Sequence, residues 1–138
     1  MAILKSLQMT EPRYPVSGPG MGGRSIKVER GTYTGAGSIG DVIQLFKLHP
    51  RFRVLGGFVK SDGNAASATI SVGDSLVANR YFSATSITAN AVTQMTIPGG
   101  IDYLNPQYNI INATLAGANL TGVGTITVVL WGIVEEPA

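Results

Sequence analysis

The residues best placed by type and spacing to do chemistry are Gly35, Gly37, Gly40 and Asp62. Gly35-Ala-Gly37-Ser-Ile-Gly40 has the G-x-G-x-x-G spacing of dinucleotide-binding turns, and Asp62 lies 22 residues beyond Gly40. Dinucleotide-binding folds place their ribose-binding acid at about that separation. The chemistry needs a buried strand running straight into the glycines and a helix whose N-terminal amides face the pyrophosphate. Here Lys27 to Thr34 is polar at every other position, and Asp41 would add negative charge to any helix starting there. No further strand-helix units follow. The glycines therefore read as a loop between strands, and no nucleotide cofactor is expected.

The other chemical leads fail in similar ways. Gly18 to Ser25 has the spacing of a phosphate loop, but Arg24 stands where a compact lysine ammonium is needed and strand-like alternation follows. His49 is the single histidine and there is no cysteine, so no thiol nucleophile and no Cys/His metal site can form. Asp41, Asp62, Asp74 and Asp102 mostly sit beside glycine or in turns. Their carboxylates are expected to accept local backbone hydrogen bonds rather than to form a glycosidase-like pair. Arg51, Phe52 and Arg53, with Lys47, Lys60, Arg24 and Lys27, invite a nucleic-acid reading. Phe52 and Phe58 have core-facing spacing, however, so a solvated or protein-contacting basic face is the better expectation. No enzymatic activity, metal or cofactor is expected.

These residues must be positioned by one compact body, since 138 residues suffice for a single core. Only 13% are charged and 44% are hydrophobic. Soluble domains average about 25% charged, so part of this surface is expected to face another protein. Residues 1–60 hold nine of the ten Lys/Arg and three of the eight acids, a net charge of +6, and residues 61–138 carry −4. Balance within or between subunits accounts for this; a basic docking arm is the sharper reading. The first residues lack the apolar stretch and cleavage site of a secretion signal. The longest apolar candidate, Ile126 to Val134, is about half the roughly 18 residues of a membrane helix.

Residues 10–25 contain three prolines and four glycines without periodicity and are expected to form an extended arm, with residues 1–24 outside the folded domain. From Ser25 onward the pattern has period two. Strands are expected at 26–29, 51–60, 65–72, 91–97, 108–115 and 126–134, with Ser61-Asp62-Gly63-Asn64 closing a hairpin between 51–60 and 65–72. Residues 41–49 fit a strand or a two-turn helix, and the β surroundings favour strand. Residues 74–90 are expected to hold a short helix and a short strand. Seven or eight evenly spaced strands without a long amphipathic helix predict an all-β chain, an antiparallel β-sandwich over 25–138 with jelly roll as the leading topology. An immunoglobulin-type sandwich is the rival, but its Cys-Trp-Cys framework is missing.

The Gly/Pro arm, Gly40-Asp-Val-Ile-Gln-Leu-Phe-Lys-Leu48, Arg51-Phe-Arg-Val-Leu-Gly-Gly-Phe-Val-Lys-Ser-Asp62, Ala68-Thr-Ile-Ser-Val-Gly73 and Gly124-Thr-Ile-Thr-Val-Val-Leu130 together form a familiar pattern. Over most of residues 25–134 it resembles the capsid cement (decoration) proteins of tailed bacteriophages, such as that of the short-tailed Bordetella phage. The resemblance implies a jelly-roll subunit, a homodimer, bound outside a shell of major capsid protein and bridging neighbouring capsomers. It carries no catalytic residues. On this reading the arm and the basic residues Arg13, Tyr14 beside it, Arg24, Arg51 and Arg53 are expected at the capsid contact. The alternative is a carbohydrate- or receptor-binding module of a phage particle, with loops such as 74–90 over the ligand.

Overall fold

The structure, a computed structural model, describes residues 2–6, 26–63, 67–88 and 90–135. Nine strands follow in order: β1 (Ile3–Lys5), β2 (Lys27–Gly37), β3 (Val42–Leu48), β4 (Phe52–Asp62), β5 (Thr69–Gly73), β6 (Phe82–Ser86), β7 (Ala91–Gln94), β8 (Asn109–Ala116) and β9 (Leu120–Val134). There is no helix among the described residues. The segment 74–90 therefore supplies the expected strand, β6, but its expected helix is replaced by tight turns. Residues 42–48 are a strand, which removes the helix a dinucleotide site needs after Gly40.

The strands form two sheets, ordered β1-β3-β8-β5-β6 and β2-β9-β4-β7. From β2 to β5 each strand crosses to the opposite sheet, and β8 and β9 then insert between earlier strands. This interleaved order of eight strands is that of a jelly roll. It overturns the expected hairpin: β4 and β5 lie in different sheets, and β4 pairs with β9 and β7 instead. Beyond Asp62-Gly63 the chain resumes in the other sheet, at β5.

Alternation in each strand sends one set of side chains between the sheets. Ile43, Leu45 and Leu48 of β3, Phe52 and Val54 of β4, Ile70 and Val72 of β5, Ile111 and Leu115 of β8, and Ile126, Val128 and Leu130 of β9 are fully buried there. Each such side chain contributes about 1.5–3 kcal/mol of transfer free energy, so the shared core, rather than any single turn, holds the sheets together.

Within residues 1–24, expected to lie outside the folded domain, a short strand is docked on the sandwich. Ile3–Lys5 pairs in parallel with Val42–Gln44, the one parallel pairing among the described strands. Ser6 continues it, its amide donating to Gln44 O at 2.7 Å and its hydroxyl to Leu45 O. Residues 7–24, which include Arg13, Tyr14 and Arg24, lie outside the described residues.

Candidate interaction surface

The described residues contain no cluster of three or more His, Asp or Glu that could hold a metal ion. The notable surface is the outer face of the β2-β9-β4-β7 sheet. Its origin is a register shift in β4 between Val54 and Gly56. A bulge of this kind inserts one residue and reverses which side chains face inward beyond it. Phe52 and Val54 point into the core before it, and Val59 does so after it. Phe58, expected in the core with Phe52, is therefore turned outward, opposite Val129.

Register across the sheet assembles the face in rows. Val28 lies opposite Trp131, and Trp131 opposite Gly56. Arg30, Val129, Phe58 and Gln94 form the next row, followed by Thr32, Thr127, Lys60 and Val92. The rings of Phe58 and Trp131 are 6.2 Å apart. Val129 is 7% exposed although it faces away from the core, because these two aromatics cover it. Ile26, Val28, Leu55 and Val92 remain exposed around them. Beyond this apolar half the face turns polar: Thr32, Thr34, Thr125 and Thr127 form a ladder, with Thr34 and Thr125 hydroxyls 3.0 Å apart.

Two cations border the apolar half. Arg30 and Lys60 are exposed, and neither is ion-paired with another described residue. The opposite outer face, on the β1-β3-β8-β5-β6 sheet, contrasts with this one: Gln44 lies beside Asn112, and Thr114 between Val42 and Ser71. That face is mixed, with Ile3, Val42 and Ile110 interspersed among Lys5, Gln44, Lys47, Asn112 and Thr114, whereas this one gathers its aromatic and branched aliphatic side chains together with two cations at their border.

Of the residues expected at a capsid contact, Arg51 and Arg53 are placed at one end of the same sheet and brought together by Glu135. Arg53 forks onto the Glu135 carboxylate through Nε and through NH2, the latter at 3.3 Å. It also donates from NH1 to Asp102 O at 2.8 Å. The Glu135 side-chain hydrogen bond comes first in holding the Arg53 guanidinium above its usual pKa. Arg51, in the left-handed conformation with φ 65°, donates from Nε to Glu135 O at 2.8 Å, and its amide donates to Asn105 O at 2.7 Å. Both arginines therefore clasp the end of β9 to the start of β4.

The loops at that end are closed by polar side chains. Asp74 is buried and accepts from the amides of Leu76 and Val77 at 3.0 and 2.9 Å and from Arg80 Nε at 2.7 Å. Arg80 in turn stacks 3.8 Å from the centre of the Tyr103 ring. Burial pushes the Asp74 carboxyl up, but Arg80 and the two amides more than offset this and leave it below its usual pKa. Asn105, 1% exposed, donates to His49 O and Gln107 O and accepts from Asn109 Nδ2 at 2.6 Å. At the opposite end Asp41 accepts from the amides of Ser38 at 2.9 Å and Ala2 at 3.0 Å, and these bonds lower its pKa. Asp41 and Asp74 thus hold local turns, as their positions implied, whereas the Asp102 carboxylate faces Arg53 at 3.4 Å and Asp62 is exposed.

Sequence reasoning missed the outer face, yet a signal for it exists. Val128-Val-Leu-Trp131 is apolar at every position. A strand with one face in water alternates, whereas an unbroken apolar run marks a strand covered on both sides.

No protein-family model and no curated protein matches the sequence. Solved structures do match. A chain of the capsid of Ralstonia phage GP4 superimposes with a TM-score of 0.76 at 17% identity, covering 99% of this chain and 100% of that one. A chain of the cyanophage Pam1 capsid asymmetric unit gives 0.70 at 24% identity, over 91% of this chain and 96% of that one. A chain of the acid-stable capsid of Helicobacter pylori bacteriophage KHP30 gives 0.62 at 16% identity, over 81% and 91%. The jelly roll described above is thus a fold that recurs, over 81–99% of this chain, in chains of three phage capsids.

Proposed function

We propose that this chain is a non-enzymatic structural protein of a tailed-phage virion, bound to the outer surface of the capsid, where it cements neighbouring capsomers of the major capsid protein. The observation that carries this reading is the likeness to a chain of a phage capsid over 99% of this chain and 100% of that one. The low charge content, which leaves surface to face another protein, is consistent with it. A cement adds buried interface across the joints of the shell, so internal pressure must break more contacts before subunits separate. A homodimer would let one particle reach two capsomers.

The arm bearing Arg13, Tyr14 and Arg24 belongs to this proposal as a second contact. Arg51 and Arg53 enter it differently from the sequence expectation, since their guanidinium groups already hold Glu135. Their part is to fix the end of the sheet.

The test uses shells of the parent phage assembled without this chain. Added protein should co-sediment with the shells to saturation and raise the temperature at which they release DNA. If it neither sediments with them nor alters that temperature, the cement reading fails.

A further inference from the structure

We infer that the outer face of the β2-β9-β4-β7 sheet, centred on Trp131, Phe58 and Val129, is the surface that seats on the shell, and that the matching surface is apolar at its centre and carboxylate-bearing at its border. This rests on the cement reading and adds to it the face that docks and the chemistry it meets.

Three independent observations support the inference. The first is the sequence of the second half of β9, Val128 to Trp131, which is apolar on both faces although only one faces the core. The second is the geometry the bulge creates: without the shift between Val54 and Gly56, Phe58 would lie inside and leave Trp131 without its aromatic neighbour. Val28, Leu55 and Val92 extend the patch to the exposed border, each at least 41% exposed. Aromatic and aliphatic anchors grouped in this way, ringed by polar groups, are the usual composition of an interface centre.

The third observation is charge, and it selects the occupant. Arg30 flanks Val129 on one side, and Lys60 adjoins Phe58 on the other. Asp62 lies one row beyond Lys60 on this face, opposite Thr125, and Glu135 is held by Arg53 at the other end, whereas Arg30 has no acid in its own row or in the rows on either side. A second copy of the chain laid face to face over Val129 would bring Arg30 against rows that hold no carboxylate. Desolvating unpaired charge is unfavourable, and like charges in juxtaposition oppose association. A different partner with acids at the border satisfies both cations and buries the apolar centre.

The experiment uses the full chain and the same shells. Val28→Glu and Val92→Glu alter positions already more than half exposed, so the fold should persist by circular dichroism. Each should weaken shell binding by about tenfold or more, and Phe58→Ala should do likewise. Arg30→Glu should weaken it most at low salt. Gln44→Glu and Thr114→Glu, on the opposite sheet, should bind as the parent does. If the wild type binds and the patch variants bind equally well, this face is not the docking surface, while the cement reading stands. If the patch variants lose self-association and retain shell binding, the occupant is a second copy and the inference is overturned. If the wild type itself fails to bind shells, both readings fall.

Discussion

The indole of Trp131 lies directly over the backbone of Gly56: a methyl group placed there would come within 2.7 Å of the ring. Glycine at this position is thus what allows the ring to lie flat on the sheet beside Phe58. Gly56→Ala should displace the indole and cost about 1–3 kcal/mol, the usual penalty for overfilling a close contact. Trp131 is the one tryptophan of the chain, so its fluorescence reports this site alone. A red-shifted emission and a lower urea midpoint are expected. An unchanged emission maximum would mean that the ring does not rest on the glycine.

Asp74 predicts an acid dependence with a definite sign. Its folded-state pKa is below the unfolded value of about 3.9, so its contribution to stability is complete above that pH and is lost as pH falls through the folded-state value. Asp74→Asn leaves Arg80 partly buried without its anion and should cost about 3–5 kcal/mol. Thermal unfolding followed between pH 7 and pH 2.5 should show the wild type approaching the variant at the acid end. A constant gap across that range would contradict the assignment.

Removing residues 1–24 is no longer a neutral truncation. It deletes β1 and with it the Val42 amide to Ala2 O and Ser6 amide to Gln44 O hydrogen bonds. At about 1 kcal/mol net for each backbone hydrogen bond, plus the contact of Leu4 with the core, the truncated chain should melt several degrees lower. Excising 7–24 while retaining Met1–Ser6 through a short linker should restore the midpoint. Equal melting of both truncations would show that β1 adds nothing.

A chain with 13% charged residues and an exposed apolar patch on one sheet should associate. Light scattering at micromolar concentration should give the mass of a dimer. The same dimer is expected for Val28→Glu if that face is reserved for the shell. A monomer mass for the wild type would remove the homodimer from the proposal.

Much of this architecture was legible in the sequence because period-two alternation is a local property. The strands at Phe52–Asp62, Asn109–Ala116 and Leu120–Val134 announce themselves in this way. Their partners do not, since a jelly roll pairs β4 with β9 across 57 intervening residues and sends β5 to the other sheet. The Ser61-Asp62-Gly63-Asn64 turn has hairpin chemistry, yet turn residues specify only a change of direction. Phe58 was misplaced for a related reason. A one-residue bulge leaves no mark in composition and still inverts every side chain beyond it. Arg51 and Arg53 were rightly singled out as unusual, but their partner Glu135 lies more than eighty residues away and nothing local points to it.

The two-sided pairing of β9 has a mechanical meaning. From Thr125 to Gly132 it is flanked on both sides, by β2 and by β4, both antiparallel to it. The hydrogen bonds of such ladders run across the strands. Tension applied along β9 therefore loads the rungs on both sides in shear, all together, instead of unzipping them one after another from an end. A subunit seated through this sheet and pulled in the plane of an expanding shell would resist as a rivet does, with the body sheared only after its seat gives way.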